Sequence, residues 1–207
     1  MRPDISTALA TEEVRQSMDQ YEINRMQERI WRLNARLKRK AGEGAIWKAK
    51  CPDDKDYTHY HISKINDPMA VEDDIVSLAI QIWSMKDYLK EHKKSIGRNP
   101  QEVENFINGN AHLPICADIA NSEKHGKLKE SRSNKFCRLS SVVCSVPQQA
   151  IASLNIGSNS VGMDVKDPSL VTYTCKVVAF NGEVVGDAFE ILDQSIEAWE
   201  EYITSQT

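Results

Sequence analysis

From Val71 to Leu89 the apolar residues Val71, Ile75, Leu78, Ile82, Met85 and Leu89 recur at steps of three and four, the period of an α-helix with one buried stripe. Asp67-Pro68 stands in front of this run. A carboxylate there can cap the first turn, and proline is tolerated at the first helical position because its missing N–H has no helical partner. Val76, Ile80 and Trp83 widen the stripe, so this helix is expected at the centre of whatever packs around it.

A longer helical pattern precedes it. Val14, Met18 and Tyr21, then Ile23, Met26, Ile30, Leu33 and Leu37, keep the same spacing with a phase shift near Tyr21. The pattern runs from Thr11 to Gly42 and Gly44, which are read as its end, and residues 1–10 are read as a flexible arm. Residues 45–67 read as a mixed connection with an extended stretch around Tyr57 to Ile62. Asn99-Pro100 opens a short helix closed by Asn-Gly-Asn at 108–110, and Pro114 opens a fourth that Gly126 stops. Beyond residue 132 the character changes. Phe136 to Val146, Ala150 to Ile156 and Leu170 to Phe180 are rich in β-formers, Asn181-Gly182 is the strongest hairpin signal, and Asp193 is read as the cap of a last helix bearing Ile196, Trp199 and Ile203. The expected class is α+β. A bundle of about four helices spans residues 11–131; a three- or four-stranded antiparallel sheet and a C-terminal helix, residues 132–207, pack on it as one unit.

Composition narrows the function classes. The chain has 207 residues, 41% hydrophobic and 27% charged, with 9 Gly and 7 Pro, which suits a folded core and not a low-complexity linker. Its longest uncharged apolar run, Ile75 to Met85, is about half of the ~20 residues a membrane helix needs. The first residues lack the apolar centre of a secretory signal, so a cytoplasmic protein with no membrane partner is expected. The five cysteines are odd in number and widely spaced, with no Cys-x-x-Cys pair, which argues against a disulfide framework or a zinc site.

The net charge of −4 conceals a split. Arg25 to Lys50 holds nine basic and two acidic residues, and Asn181 to the C-terminus holds seven acidic and none basic. Either the basic part has an anionic partner or the two ends meet in the fold or across a dimer. Arg25, Arg29, Arg32, Arg36 and Arg39 form a stripe along the first helix that could track a nucleic-acid backbone.

The polar content of the fourth helix is unusual. Asp118, Asn121 and His125 are spaced i, i+3, i+7 and so share a face, with Lys124 beside them. His125 can move a proton near neutral pH, Asn121 can orient a phosphate or a base edge, and Lys124 can neutralise a phosphoryl oxygen. Asp118 could hold the imidazole tautomer. Metal-free phosphodiester cleavage needs such a proton shuttle beside positive charge. Capping and dipole complementarity account for the same residues without any activity. Lys127, Lys129, Arg132 and Lys135 follow and extend the cationic character.

The run ADIANSEKHGKL resembles one found in uncharacterised bacterial and phage proteins, in which an Asp-x-Ala-Asn-x-x-Lys-His helix precedes an antiparallel hairpin and a Trp-bearing C-terminal helix. It is similar, more distantly, to the helical HEPN superfamily, many of whose members are metal-independent RNases of toxin and antiviral systems. Their motif is an Arg, often followed by Asn, Asp or His, with a His four to six residues beyond. Aligned on His125, Asn121 matches the polar position and Ala120 falls where the Arg belongs.

What the resemblance implies is an RNA-binding or metal-independent RNA-cleaving protein. Asp118, Asn121, Lys124 and His125 would be its catalytic set, and Lys127, Lys129, Arg132, Arg29, Arg32 and Arg36 its nucleic-acid contacts. The alternatives are a non-catalytic module that docks a protein partner or a second copy, and a small-molecule enzyme with a pocket between helices and sheet. His59 and His61, near Cys51, Asp53, Asp54 and Asp56, match no zinc spacing, and neither metal nor cofactor is expected.

Overall fold

A computed structural model describes the backbone of residues 5–50, 57–125 and 128–206, and their side chains from residue 18 onward except those of 123–125. The protein is α+β. Helix α1 (Ile5–Leu37) leads into a hairpin of β1 (Ala41–Lys50) and β2 (Tyr57–Ile65), followed by α2 (Pro68–Ser95), α3 (Gln101–Gly109) and α4 (Leu113–His125). Seven short strands come next: β3 (Arg138–Leu139), β4 (Val143–Ser145), β5 (Ile151–Ile156), β6 (Ser160–Val165), β7 (Thr172–Thr174), β8 (Lys176–Val178) and β9 (Val184–Asp187). Helix α5 (Ala188–Thr204) closes the chain. No described helix is long and apolar enough to cross a membrane.

Helix α2 is the hub, with α1, α3, α4 and α5 all packed on it. Asp67 caps it by accepting from Met69 N at 2.9 Å, with Pro68 in the first turn. Its stripe, Val71, Ile75, Leu78, Ile82, Met85 and Leu89, is buried throughout. Helix α5 is bolted to α2 by Trp199, whose indole N–H donates to the Ile82 carbonyl at 3.0 Å. Phe106 and Tyr202 close around the same ring at 5.7 and 6.0 Å. Burying a tryptophan whose only polar atom is satisfied removes a large apolar area from water at no unpaired cost.

The strands are not confined to the region after residue 132. The expected connection over 45–67 is a β-hairpin, and it pairs with the later strands in a mixed sheet of order β1-β2-β6-β5, in which β2 and β6 run parallel. Two smaller antiparallel sheets, β3-β8-β9 and β4-β7, complete the β structure in place of one antiparallel sheet. The helical run over 11–131 is therefore interrupted by two strands. Gly42 and Gly44 sit in β1 and do not stop α1, which ends at Leu37. A Cβ at Gly44 would meet the Ile62 carbonyl oxygen at 2.6 Å, and its φ of +115 lies in glycine's own region. The glycines permit β2 to approach closely, and sequence reading takes the same residues for a helix terminator.

The last helix also begins earlier than its expected cap. Asp187 caps it by accepting from Phe189 N at 3.0 Å. Asp193 lies inside the helix, where it accepts from Asn34 and Lys38 of α1's end at 2.9 and 2.8 Å. Trp31 also donates to Glu200 at 2.5 Å. The basic N-terminal segment and the acidic last helix thus meet within one chain. Gly182 does serve a hairpin, between β8 and β9. It follows Phe180 and Asn181 in a turn closed by Gly182 N to Ala179 O, with φ +85 at the glycine, the three-residue loop with a bulge that antiparallel hairpins favour next after two-residue turns.

Two cores result. The larger joins all five helices to Cys137, Cys175 and Val177. The smaller, Ala45, Ile65, Ala150, Val165 and Val171, roots the mixed sheet. Burial raises the Cys116 thiol to about 12, against a weaker opposing bond from Ser195, and raises Cys175 to about 11. Both are protonated at pH 8 and shielded from reagents. Mass mapping of maleimide labelling at that pH should find Cys116 and Cys175 unmodified in the native protein and modified in denaturant; rapid native labelling of either would contradict the packing.

Candidate nucleic-acid interface

Helix α4 starts where Asn110 folds its side chain back to accept from His112 N and Leu113 N at 2.8 and 2.9 Å. Its first eight residues, Leu113 to Ala120, are all buried, because α2, α3, α5 and β3 surround it. Asp118 lies within this run, fully buried. A carboxylate without water must have its lone pairs filled by donors, and here the loop that follows α4 supplies them. Oδ1 accepts from Arg132 N at 2.8 Å, and Oδ2 accepts from Ser131 Oγ at 2.6 Å, Ser133 Oγ at 2.5 Å and Cys137 N at 3.2 Å.

The serine hydroxyls pass the order outward. Ser131 Oγ accepts from Phe136 N at 3.0 Å and Ser133 Oγ from Lys135 N at 3.1 Å. Two non-glycine residues, Asn134 and Phe136, are thereby held at φ of +61 and +51. Such a backbone persists only when its surroundings over-determine it, which the Asp118 network does. On the other side Arg132 donates to Glu104 at 2.8 Å and lies over the Trp83 ring at 5.4 Å, and Lys90 binds the same Glu104 at 2.5 Å. Burial pushes the Glu104 carboxyl up, but the bonds from Lys90 and Arg132 outweigh it and leave it below its ordinary value.

What this scaffold presents is basic and aromatic. Lys129, Lys135 and Arg138 are exposed and form no ion pair among the described residues, and Glu130 is the only acid between 128 and 138. Phe136 is 40% exposed and Phe180 is 85% exposed. Phe180 N donates to Lys135 O at 3.0 Å, so the turn after β8 adjoins the loop that carries Phe136.

Of the residues singled out from sequence, Asp118 is committed to the loop: all its hydrogen bonds run to residues 131–137. Asn121 is half-buried one turn further along α4. The side chains of Lys124 and His125, and the whole of Lys127, lie outside the described residues. Arg132 is engaged by Glu104 and Trp83. On α1 Arg36 pairs with Asp74 and Arg32 with Glu28, while Arg29 has no ion pair among the described residues and borders an open polar concavity with Arg25, Arg32 and Tyr88. This stripe is remote in sequence from the loop and is largely paired within the chain.

His59 and His61 do share one exposed face of β2, since that strand forms; Cys51, Asp53, Asp54 and Asp56 lie outside the described residues. Phe136 and Phe180 were not singled out from sequence. The available signal was an aromatic beside each turn element, Ser-Asn-Lys-Phe and Phe-Asn-Gly, where apolar side chains find little to cover them. No protein-family model matches the chain, and no curated protein or solved structure matches it either.

Replacing Asp118 with Ala would strand four donors, two of them hydroxyls that could turn to water. A loss of about 2–6 kcal/mol is expected from leaving the two backbone N–H groups unpaired, at about 1–3 kcal/mol each, measured by chemical denaturation. Asp118→Ala with wild-type stability would refute the scaffold role. Glu104 titrates lower folded than unfolded, so its stabilisation is complete above its unfolded value and is lost as pH falls below about 4.5 through the folded one. Melting temperatures of Glu104→Gln should accordingly fall less steeply on acidification than those of wild type; parallel acid limbs would count against the pairing.

Proposed function

We propose that this protein binds single-stranded nucleic acid, RNA first, on the surface made by residues 128–138 and the 179–183 turn. One observation carries the reading: two exposed phenylalanines, Phe136 and Phe180, stand on a loop and a turn joined by the Phe180 N to Lys135 O bond, with Lys129, Lys135 and Arg138 free of ion pairs among the described residues in a protein of net charge −4. Single strands are held by this combination. Bases stack on aromatic rings regardless of sequence, and lysines and arginines track the phosphates.

The loop is rigidly built for such a task. Asp118 and the two serines fix its backbone, so binding orders little that is not already ordered, and less affinity is lost to entropy. The α4 residues Asn121, Lys124 and His125 belong to the same end of that helix, which agrees with the HEPN-like resemblance in its RNA class. Asp118 is a support for the loop in this reading, and cleavage would rest on Asn121, Lys124 and His125 alone, without the superfamily's Arg.

Fluorescence anisotropy with labelled single-stranded RNA, in EDTA and over a range of salt, tests this. Phe180→Ala and Phe136→Ala should each weaken binding by about 5- to 100-fold, the worth of ~1–3 kcal/mol of stacking per base. Lys135→Ala should reduce the salt slope by about one. Binding that is absent at low salt, or indifferent to both phenylalanines, sinks the proposal. Gel analysis of the same samples separates binding from turnover, and turnover abolished by His125→Ala would add the cleaving activity.

A further inference from the structure

The mixed sheet is amphipathic, and its residue rows can be read across all four strands. Trp47, Tyr60, Val161 and Ile156 are aligned partners in one row, and Ala45, Ile62, Met163 and Leu154 in the next. The opposite face carries His59, His61, Ser160 and Asn155. The root of the apolar face covers the smaller core. Further out that cover ends: Leu154 is 51% and Ile156 74% exposed.

The two edges of this sheet are unlike. β1 carries Glu43, Lys48 and Lys50 and a register shift between Ala41 and Gly44, the devices that keep an edge from pairing with another chain. β5, Ile-Ala-Ser-Leu-Asn-Ile, has no charge and no proline, and its one irregularity lies at the root, between Ile151 and Ser153. Gly157 N donates to Ser160 O at 2.7 Å. By the alternation of an antiparallel ladder, Ser153 and Asn155 direct their backbone groups to β6, and Leu154 and Ile156 direct theirs outward.

We propose that two copies of this chain pair antiparallel along β5, about a two-fold axis at Asn155, joining two four-stranded sheets into one of eight. In a continuous sheet opposed residues share a face, and this register obeys that rule. Leu154 of each copy meets Ile156 of the other through outward-facing backbone bonds, and Asn155 meets Asn155, where amides can bond to each other. No like charges are opposed, because the strand has none. Each apolar row of one copy continues into the other row of its partner, so Leu154 and Ile156 gain a lateral apolar neighbour that the monomer lacks.

A second copy is the occupant this edge suits, because an uncharged segment is complementary to itself in the antiparallel sense. Each protomer offers one open edge and one guarded one, so association closes at a dimer and does not grow into a fibre. The inference is independent of the nucleic-acid reading, which concerns other residues.

Light scattering on the full chain, from low to high micromolar concentration, is the test. Wild type should run as a dimer. Ile156→Pro, which removes an outward N–H and leaves the bonds to β6 intact, should give a monomer with unchanged circular dichroism. The doubly substituted Leu154→Lys, Ile156→Lys chain should do the same by opposing lysine charges to each other. Asn155→Cys in a Cys51→Ser background should cross-link as a covalent dimer under mild oxidation, since directly opposed non-bonded positions approach closely enough for a disulfide. A wild-type monomer at every concentration, or a dimer that both substituted chains retain, overturns the proposal.

Discussion

A carboxylate enclosed by apolar helix contacts imposes the tightest constraint on this protein. Asp118 sits on α4 amid residues packed by α2, α3 and α5, and only the incoming loop can meet its demand for hydrogen bonds. That demand draws residues 131–137 onto the helix end and sets where the chain enters β3. The path of the following strands, and the face they expose, depends on it. Energetically the network is asymmetric. Formed, it offsets the desolvation of the charge; with one side removed, the buried donors are left costly.

The same anchoring explains how exposed phenylalanines can be tolerated. Phe136 is held in a left-handed backbone conformation by Ser131, and the Phe180 backbone is tied to the same loop through Lys135 O. Neither is free to fold back into the core without breaking bonds that lead to Asp118. An aromatic fixed in water beside unneutralised cations is an arrangement that folding alone does not call for. Arg36, Lys38, Lys90 and Lys93, by contrast, find carboxylates within the chain.

The mixed sheet is rooted in its own, smaller core. Its root shares Tyr173 with both cores, and the Tyr173 hydroxyl donates to Asn66 O at 2.8 Å, where β2 passes into α2. Its outer rows have no such support. A sheet that is amphipathic yet uncovered on its apolar side, with one guarded edge and one bare one, has the anatomy of half an interface.

Local patterns determined the helices. The stripe of α2 and its Asp67-Pro68 cap, the Trp199 face of α5, and the glycine of the 181–182 turn act through neighbours within a few residues, so the sequence displays them directly. The β1–β2 hairpin stayed hidden because Gly42 and Gly44 are ambiguous by themselves: they end a helix or admit a close strand, and only the distant β2 decides which. The parallel pairing of β2 with β6 joins residues about a hundred positions apart, beyond any local periodicity. Asp118 was recognisable as unusual, but its spacing to Asn121 and His125 gave no sign that its partners would come from the loop ahead. Only the tertiary structure decided that it is buried, that the loop of Phe136 adjoins the turn of Phe180, and which sheet edge is bare, because burial and pairing belong to surfaces brought together from far along the chain.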